Sequence, residues 1–272
     1  MPVAPFLFLF RFICVSTWVL LGLSTELLVF PFLGRARRRR VVGAWSRGLM
    51  RLCGVRVRRL GDPVSHGAVL WAANHVSWVD IFVLNSVRTT SFVAKSDIRR
   101  WPVIGLLVAW AGTLFIDRRH RHAVRDAGRQ MRACFERGDA VGLFPEGTTT
   151  DGSDVLPFYA GLFDAAVRAG VPTQPVALRF LRHGRRAPEL AFVGEQTLVA
   201  NLWCLLGARG VTVECVFLAP IRAAEGLARA DVARHAQAAI GAAVRGESAC
   251  AGSGATSGRD TGVSGRPRSP AG

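Results

Sequence analysis

The sequence predicts an α/β fold, with a central, mostly parallel or mixed sheet flanked by helices, entered through membrane-associated helices at the amino terminus. Three observations predict it. From about residue 55 onward, short β-rich runs alternate with helix-length stretches. The polar residues able to do chemistry fall just after strand ends, where open α/β sheets place their sites. Half of the 272 residues are hydrophobic, enough to bury a core. No repeat of 20 to 50 residues is visible, which removes solenoids and propellers.

Residues 1–34 read as a hydrophobic membrane anchor. Between Phe6 and Leu33 the chain is almost wholly apolar, broken by Arg11, Glu26, a few hydroxyl residues and Pro31. As helix this run covers about 42 Å, against a hydrocarbon core of about 30 Å. That length suits a tilted span or a hairpin in one leaflet. It is long for a signal peptide, and no small-x-small cleavage site closes it, so a retained anchor is expected. Arg35 and the run Arg37 to Arg40 follow at once. The positive-inside rule then places residue 34 onward on the cytoplasmic side of the inner membrane. Residues 35–54 read as a basic amphipathic helix. Val41, Trp45, Leu49 and Leu52 share one face and Arg40, Arg47 and Arg51 another, the pattern of a helix lying on an anionic bilayer or of a domain-packing helix with a solvated basic face.

The α/β domain spans 55–245. Its expected strands are 55–60, 68–73, 91–95, 113–116, 141–144, 174–180, 189–194 and 211–217, with helices near 78–87, 102–111, 120–137, 158–169, 197–207 and 226–245. Residues 246–272, rich in Gly, Ser, Ala and Pro, read as a disordered tail.

The net charge of +16 favours anionic partners, but it is nearly all arginine, a compositional habit that identifies no ligand. The one lysine is Lys95. Six scattered cysteines form no CxxC pair and suit a reduced compartment.

Four motifs carry the chemistry. NHVSWVD places Asn74, His75, Ser77 and Asp80 after a strand. Five residues of helix turn through about 500°, so His75 and Asp80 meet only if the histidine sits on the loop and the aspartate in the first helical turn. A carboxylate on one imidazole nitrogen then makes the other a general base for a hydroxyl. SFVAK and GTLFIDR put Lys95 and Arg118 at strand ends, a pair suited to clamping a phosphate. FPEGTTTDG offers Glu146, Gly147 and Thr148 behind a rigid Pro145, a turn whose N–H and hydroxyl groups suit an anion.

Taken in this order over about 75 residues, the four motifs resemble the glycerolipid acyltransferase family, in particular its bacterial 1-acylglycerol-3-phosphate acyltransferases. The resemblance covers roughly residues 40 to 220. It implies that the domain over 55–245 is an acyltransferase domain, that His75 takes the proton from a lysophospholipid hydroxyl which attacks an acyl thioester directly, and that Asp80 orients His75. It further implies that Lys95, Arg118, Glu146, Gly147 and Thr148 bind the acceptor phosphate. Asn74, Ser77 and Pro145 are then structural. No cofactor is implied beyond acyl-CoA or acyl carrier protein as co-substrate, and the anionic membrane surface is the remaining partner. One departure is Thr149, where many family members carry a basic residue; it resembles the variant found in acyltransferases of other lyso-lipids, such as lyso-ornithine lipid. A metal hydrolase lacks clustered ligands here, since no HExxH or CxxC exists. A non-enzymatic binder of anionic lipid or nucleic acid gives no reason for a paired His and Asp; no nucleic acid partner is expected.

Overall fold

The computed structural model describes residues 4–100, 104–110, 112–116, 122–222 and 227–247. Arg118 and the tail beyond residue 247 lie outside them. Helices α1 (Pro5–Leu28) and α2 (Arg35–Leu52) lead into strand β1 (Val55–Leu60) and then β2 (Val69–Ala73), α3 (Asp80–Val87), β3 (Thr90–Lys95), α4 (Ile104–Trp110) and β4 (Leu114–Ile116). There follow α5 (Ala123–Glu136), β5 (Ala140–Leu143), α6 (Phe163–Arg168), β6 (Thr173–Arg182), β7 (Arg185–Arg186), α7 (Leu198–Gly207), β8 (Val211–Phe217) and α8 (Arg229–Arg245).

The sheet runs β1-β8-β6-β2-β5-β3-β4, with β7 hairpinned onto β6. It is mixed: β6, β2, β5, β3 and β4 pair in parallel, while β8 runs antiparallel to β6. Strand β2 is buried at every residue, as expected of a parallel strand covered on both faces. Val69, Trp71 and Ala73 join one hydrophobic cluster with Leu49, Met50 and Leu84 of α2 and α3, and Leu70 and Ala72 join another with Met131, Phe163 and Val232 of α5, α6 and α8.

Two expectations fail. The run 189–194 is no strand: a 3-10 turn over Pro188–Leu190 opens it, and the chain then crosses the carboxyl edge of the sheet, where Phe192 N–H donates to the Val76 carbonyl at 2.9 Å. The helix expected over 158–169 is broken, because Tyr159 is extended and its N–H is held by the Pro145 carbonyl at 3.0 Å, leaving a 3-10 turn and the short α6. The two-residue β7 was not anticipated from the sequence. It exists because His183 and Gly184 both take positive φ, the geometry of a tight hairpin turn.

Of the two readings of α2, its apolar face follows domain packing. Gly43, Ser46, Leu49 and Met50 are buried against the domain, so α2 gives its apolar side to protein and leaves mainly arginines outside. Most of the exposed large apolar residues lie on α1, where Phe6, Ile13, Leu20 and Leu27, seven residues apart, form a stripe facing away from the domain. On its inner side α1 is fastened along its length. The Arg11 guanidinium donates to the carbonyls of Leu206 at 3.0 Å and Ala208 at 2.5 Å, a cation on the carboxyl end of α7. Trp18 and Trp45 each donate an indole N–H to the other's carbonyl, at 3.1 and 3.2 Å. Each ring lies over a glycine of the opposite helix: a Cβ on Gly48 would sit 2.4 Å from Trp18, and one on Gly22 would sit 2.5 Å from Trp45. At the start of α2, Arg35 and Arg39 pair with the buried Asp139 ahead of β5.

Candidate active site

Because β2 and β5 are neighbours in register, Ala72 beside Leu143, the loops that leave them emerge side by side at the carboxyl edge. This adjacency brings two motifs 71 residues apart into one site. His75 sits on the loop and Asp80 is the first residue of α3, the arrangement the spacing requires. His75 Nδ1 lies 2.8 Å from Asp80 Oδ2, and the same oxygen accepts the N–H groups of Val76 at 2.7 Å and Ser77 at 2.9 Å. Those backbone bonds hold the aspartate as a fully buried acceptor, which leaves Nδ1 to carry the proton and Nε2 the lone pair.

Asn74 bridges β2 to β6, its amide giving to the Leu178 carbonyl at 3.0 Å and taking the Leu178 N–H at 2.7 Å. The Ser77 hydroxyl is buried with no protein partner, so its backbone is what serves the site. Glu146 accepts His75 N–H on one oxygen at 2.8 Å and Leu156 N–H on the other at 2.9 Å. With both oxygens so used and the residue 3% exposed, Glu146 stands behind the cleft wall, where the resemblance had put it among the phosphate contacts. Burial pushes its carboxyl above the ordinary range, against the two backbone N–H groups that draw it down. Gly147, at φ +72, turns the chain back so that its own N–H meets the Phe144 carbonyl. The Thr149 hydroxyl donates to the Phe192 carbonyl, and Thr150 N–H to the His75 carbonyl at 2.8 Å.

The cleft in front of His75 encloses about 320 Å3. Lys95, Gly147, Thr148 and Thr149 line its polar side; Trp78, Ile81, Phe82, Phe92 and Val108 line an apolar one. Lys95 pairs in register with Ile116, two residues before Arg118. Asp97 also faces this cleft, as do Phe144 and Phe192; sequence reasoning missed all three, since what brings them here is the strand order. Burial pushes the Cys53 thiol up to about 12 and raises that of Cys215 as well, so neither supplies a thiolate near neutrality.

A histidine paired with a buried carboxylate at the carboxyl edge of an α/β sheet, opening on a cleft with an apolar side and a polar side that carries Lys95, suits an enzyme that takes a proton from a substrate hydroxyl. The chain belongs to the acyltransferase family: a family model of that description matches residues 54–179. It is 38% identical over 215 residues to the lyso-ornithine lipid O-acyltransferase of Pseudomonas aeruginosa, covering 78% of this chain and 81% of that protein. It is also 38% identical over 195 residues to the 1-acyl-sn-glycerol-3-phosphate acyltransferase of Neisseria gonorrhoeae, covering 70% and 75%. The crystal structure of the 1-acyl-sn-glycerophosphate acyltransferase PlsC from Thermotoga maritima shares the fold, with a TM-score of 0.64 at 18% identity over 89% of this chain and 94% of that one.

Proposed function

We propose that this enzyme moves a fatty acyl group from acyl-CoA or acyl carrier protein to the sn-2 hydroxyl of 1-acylglycerol-3-phosphate, giving phosphatidate. The observation that carries the chemistry is the 2.8 Å contact of His75 Nδ1 with Asp80 at the edge of the cleft. The acceptor hydroxyl gives its proton to His75 Nε2 as its oxygen bonds to the thioester carbonyl carbon. The tetrahedral intermediate collapses, the C–S bond breaks, and the thiolate takes the proton from the imidazolium. Thiols ionise near 8.5, so this departure needs little acid help. Lys95 and Arg118 hold the phosphate, with Gly147 and Thr148 as the facing wall.

A second acceptor, lyso-ornithine lipid, is favoured by a specific observation: the position after Thr148 carries no cation, and the Thr149 hydroxyl is used on Phe192. Both acceptors share the His75 chemistry.

The fastening of α1 supports one membrane arrangement over another. A helix of about 36 Å lashed to the domain at Arg11, Trp18 and Trp45 cannot cross a bilayer without drawing the domain in. The reading is that α1 lies in one leaflet, stripe inward, on the cytoplasmic side by the positive-inside rule, with Arg37, Arg40, Arg47 and Arg51 of α2 beside it on anionic headgroups.

The test is acyl transfer from a labelled thioester to lysophosphatidate and, in parallel, to lyso-ornithine lipid, in washed membranes holding wild-type or His75→Ala protein. Wild type is expected to favour lysophosphatidate, and the variant to transfer to neither while still folding and binding membranes. Preference for lyso-ornithine lipid reassigns the acceptor. Normal turnover by His75→Ala removes the mechanism.

A further inference from the structure

Phe144 directly follows β5, and its ring lies against the His75 imidazole, centroids 4.1 Å apart and planes within 13°. Phe92, on β3, stacks on Phe144 at 5.5 Å and 8°. Since β5 lies between β2 and β3, the Phe144 ring is held between the other two. Phe92 in turn rests on the β5 backbone: a Cβ on Gly142 would fall 2.3 Å from its ring.

We infer that Phe144 is a positioning residue for the general base, holding the His75 imidazole by its face and favouring the protonated form that arises during transfer. This rests on the His75 reading above. The bond to Asp80 fixes His75 at one atom, while the sp3–sp2 torsion of a histidine is broad and tolerates tilt about that bond. A parallel ring pressed on the face removes the tilt and keeps Nε2 aimed into the cleft. The backing by Phe92, and of Phe92 by a glycine backbone, makes that wall stiff. The electrostatics act in the same direction. An aromatic face is negative and attracts a cation, so the contact strengthens when Nε2 gains the hydroxyl's proton and weakens when the thiolate removes it. An interaction stronger in the transition state than in the ground state raises kcat. Among the described residues, the other charged groups around His75 are Asp80 at Nδ1, Glu146 on its backbone, and Lys95 and Asp97 lining the same cleft; all are retained in the variants below.

The experiment compares wild type, Phe144→Leu, Phe144→Tyr and His75→Ala in membranes, across pH, with whichever of the two acceptors wild type uses. Phe144→Leu is expected to lower kcat about tenfold, change the acceptor KM by less than about twofold, and move the acid limb of the pH–rate profile to lower pH, because the imidazolium has lost its support. Phe144→Tyr, which keeps the ring face, is expected to restore both. Should Phe144→Leu fail to fold, judged by its melting curve, Phe144→Met replaces it. Wild-type kcat in Phe144→Leu, or equal losses in the Leu and Tyr variants with an unmoved acid limb, overturns the inference. If His75→Ala is active, the general-base reading fails; if it is inert while Phe144→Leu is unimpaired, only the role of Phe144 does.

Discussion

Asp80 serves three N–H donors with one oxygen, so its charge organises the His75 loop as well as the imidazole. Asp80→Asn is expected to lower kcat by a factor of about 10^3 or more, as when the orienting carboxylate of a triad is neutralised, and steady-state rates at saturating acceptor measure it. Glu146 has a structural task. In Glu146→Gln one backbone N–H faces an amide NH2 in place of an oxygen, costing about 1–3 kcal/mol. Because burial raises the Glu146 carboxyl, its contribution to stability is complete below the ordinary carboxylate range and is lost as pH rises through the raised value. The melting temperature of wild type should thus exceed that of Glu146→Gln by less at pH 8 than at pH 4. A gap that widens with pH would contradict this assignment.

Among the elements, strand ends were legible wherever β-branched and aromatic runs met a polar turn: residues 91–95 were expected and Thr90–Lys95 is found. The run 189–194 misled because its composition is strand-like, while Pro188 opens a 3-10 turn there and Phe192 bonds the His75 loop instead of a neighbouring strand. His75, Asp80 and Asn74 were legible because spacing along one segment decides how they meet. Phe144, Phe92 and the internal use of Glu146 were not, since they depend on β5 lying between β2 and β3, which no local pattern encodes. The clasp between α1 and α2 was equally hidden, as it joins Trp18 and Trp45 to glycines of opposite helices. Gly48→Ala drives a methyl into the Trp18 ring. It is expected to cost about 1–3 kcal/mol as overpacking and to open α1 to limited proteolysis ahead of the domain; wild-type protection would show that the clasp yields cheaply.

For the whole molecule, α1 is part of the enzyme's body. Removing residues 1–34 uncovers the α2 face around Trp45 and the α7 carboxyl end that Arg11 caps. The truncated chain should therefore aggregate or lose activity, where a domain merely tethered by α1 would become soluble and active; sedimentation and transfer assays of the two forms separate these outcomes. The outward stripe of Phe6, Ile13, Leu20 and Leu27 has a kinetic meaning too. On the proposed one-leaflet placement, the enzyme would meet its lyso-lipid by sideways diffusion and release its product into the same sheet of lipid, with the proposed thioester donor arriving from water. Its saturation then depends on the mole fraction of acceptor in the bilayer. Diluting the acceptor with inert phospholipid should slow turnover even when the total acceptor in the tube is unchanged, as for a reaction confined to two dimensions.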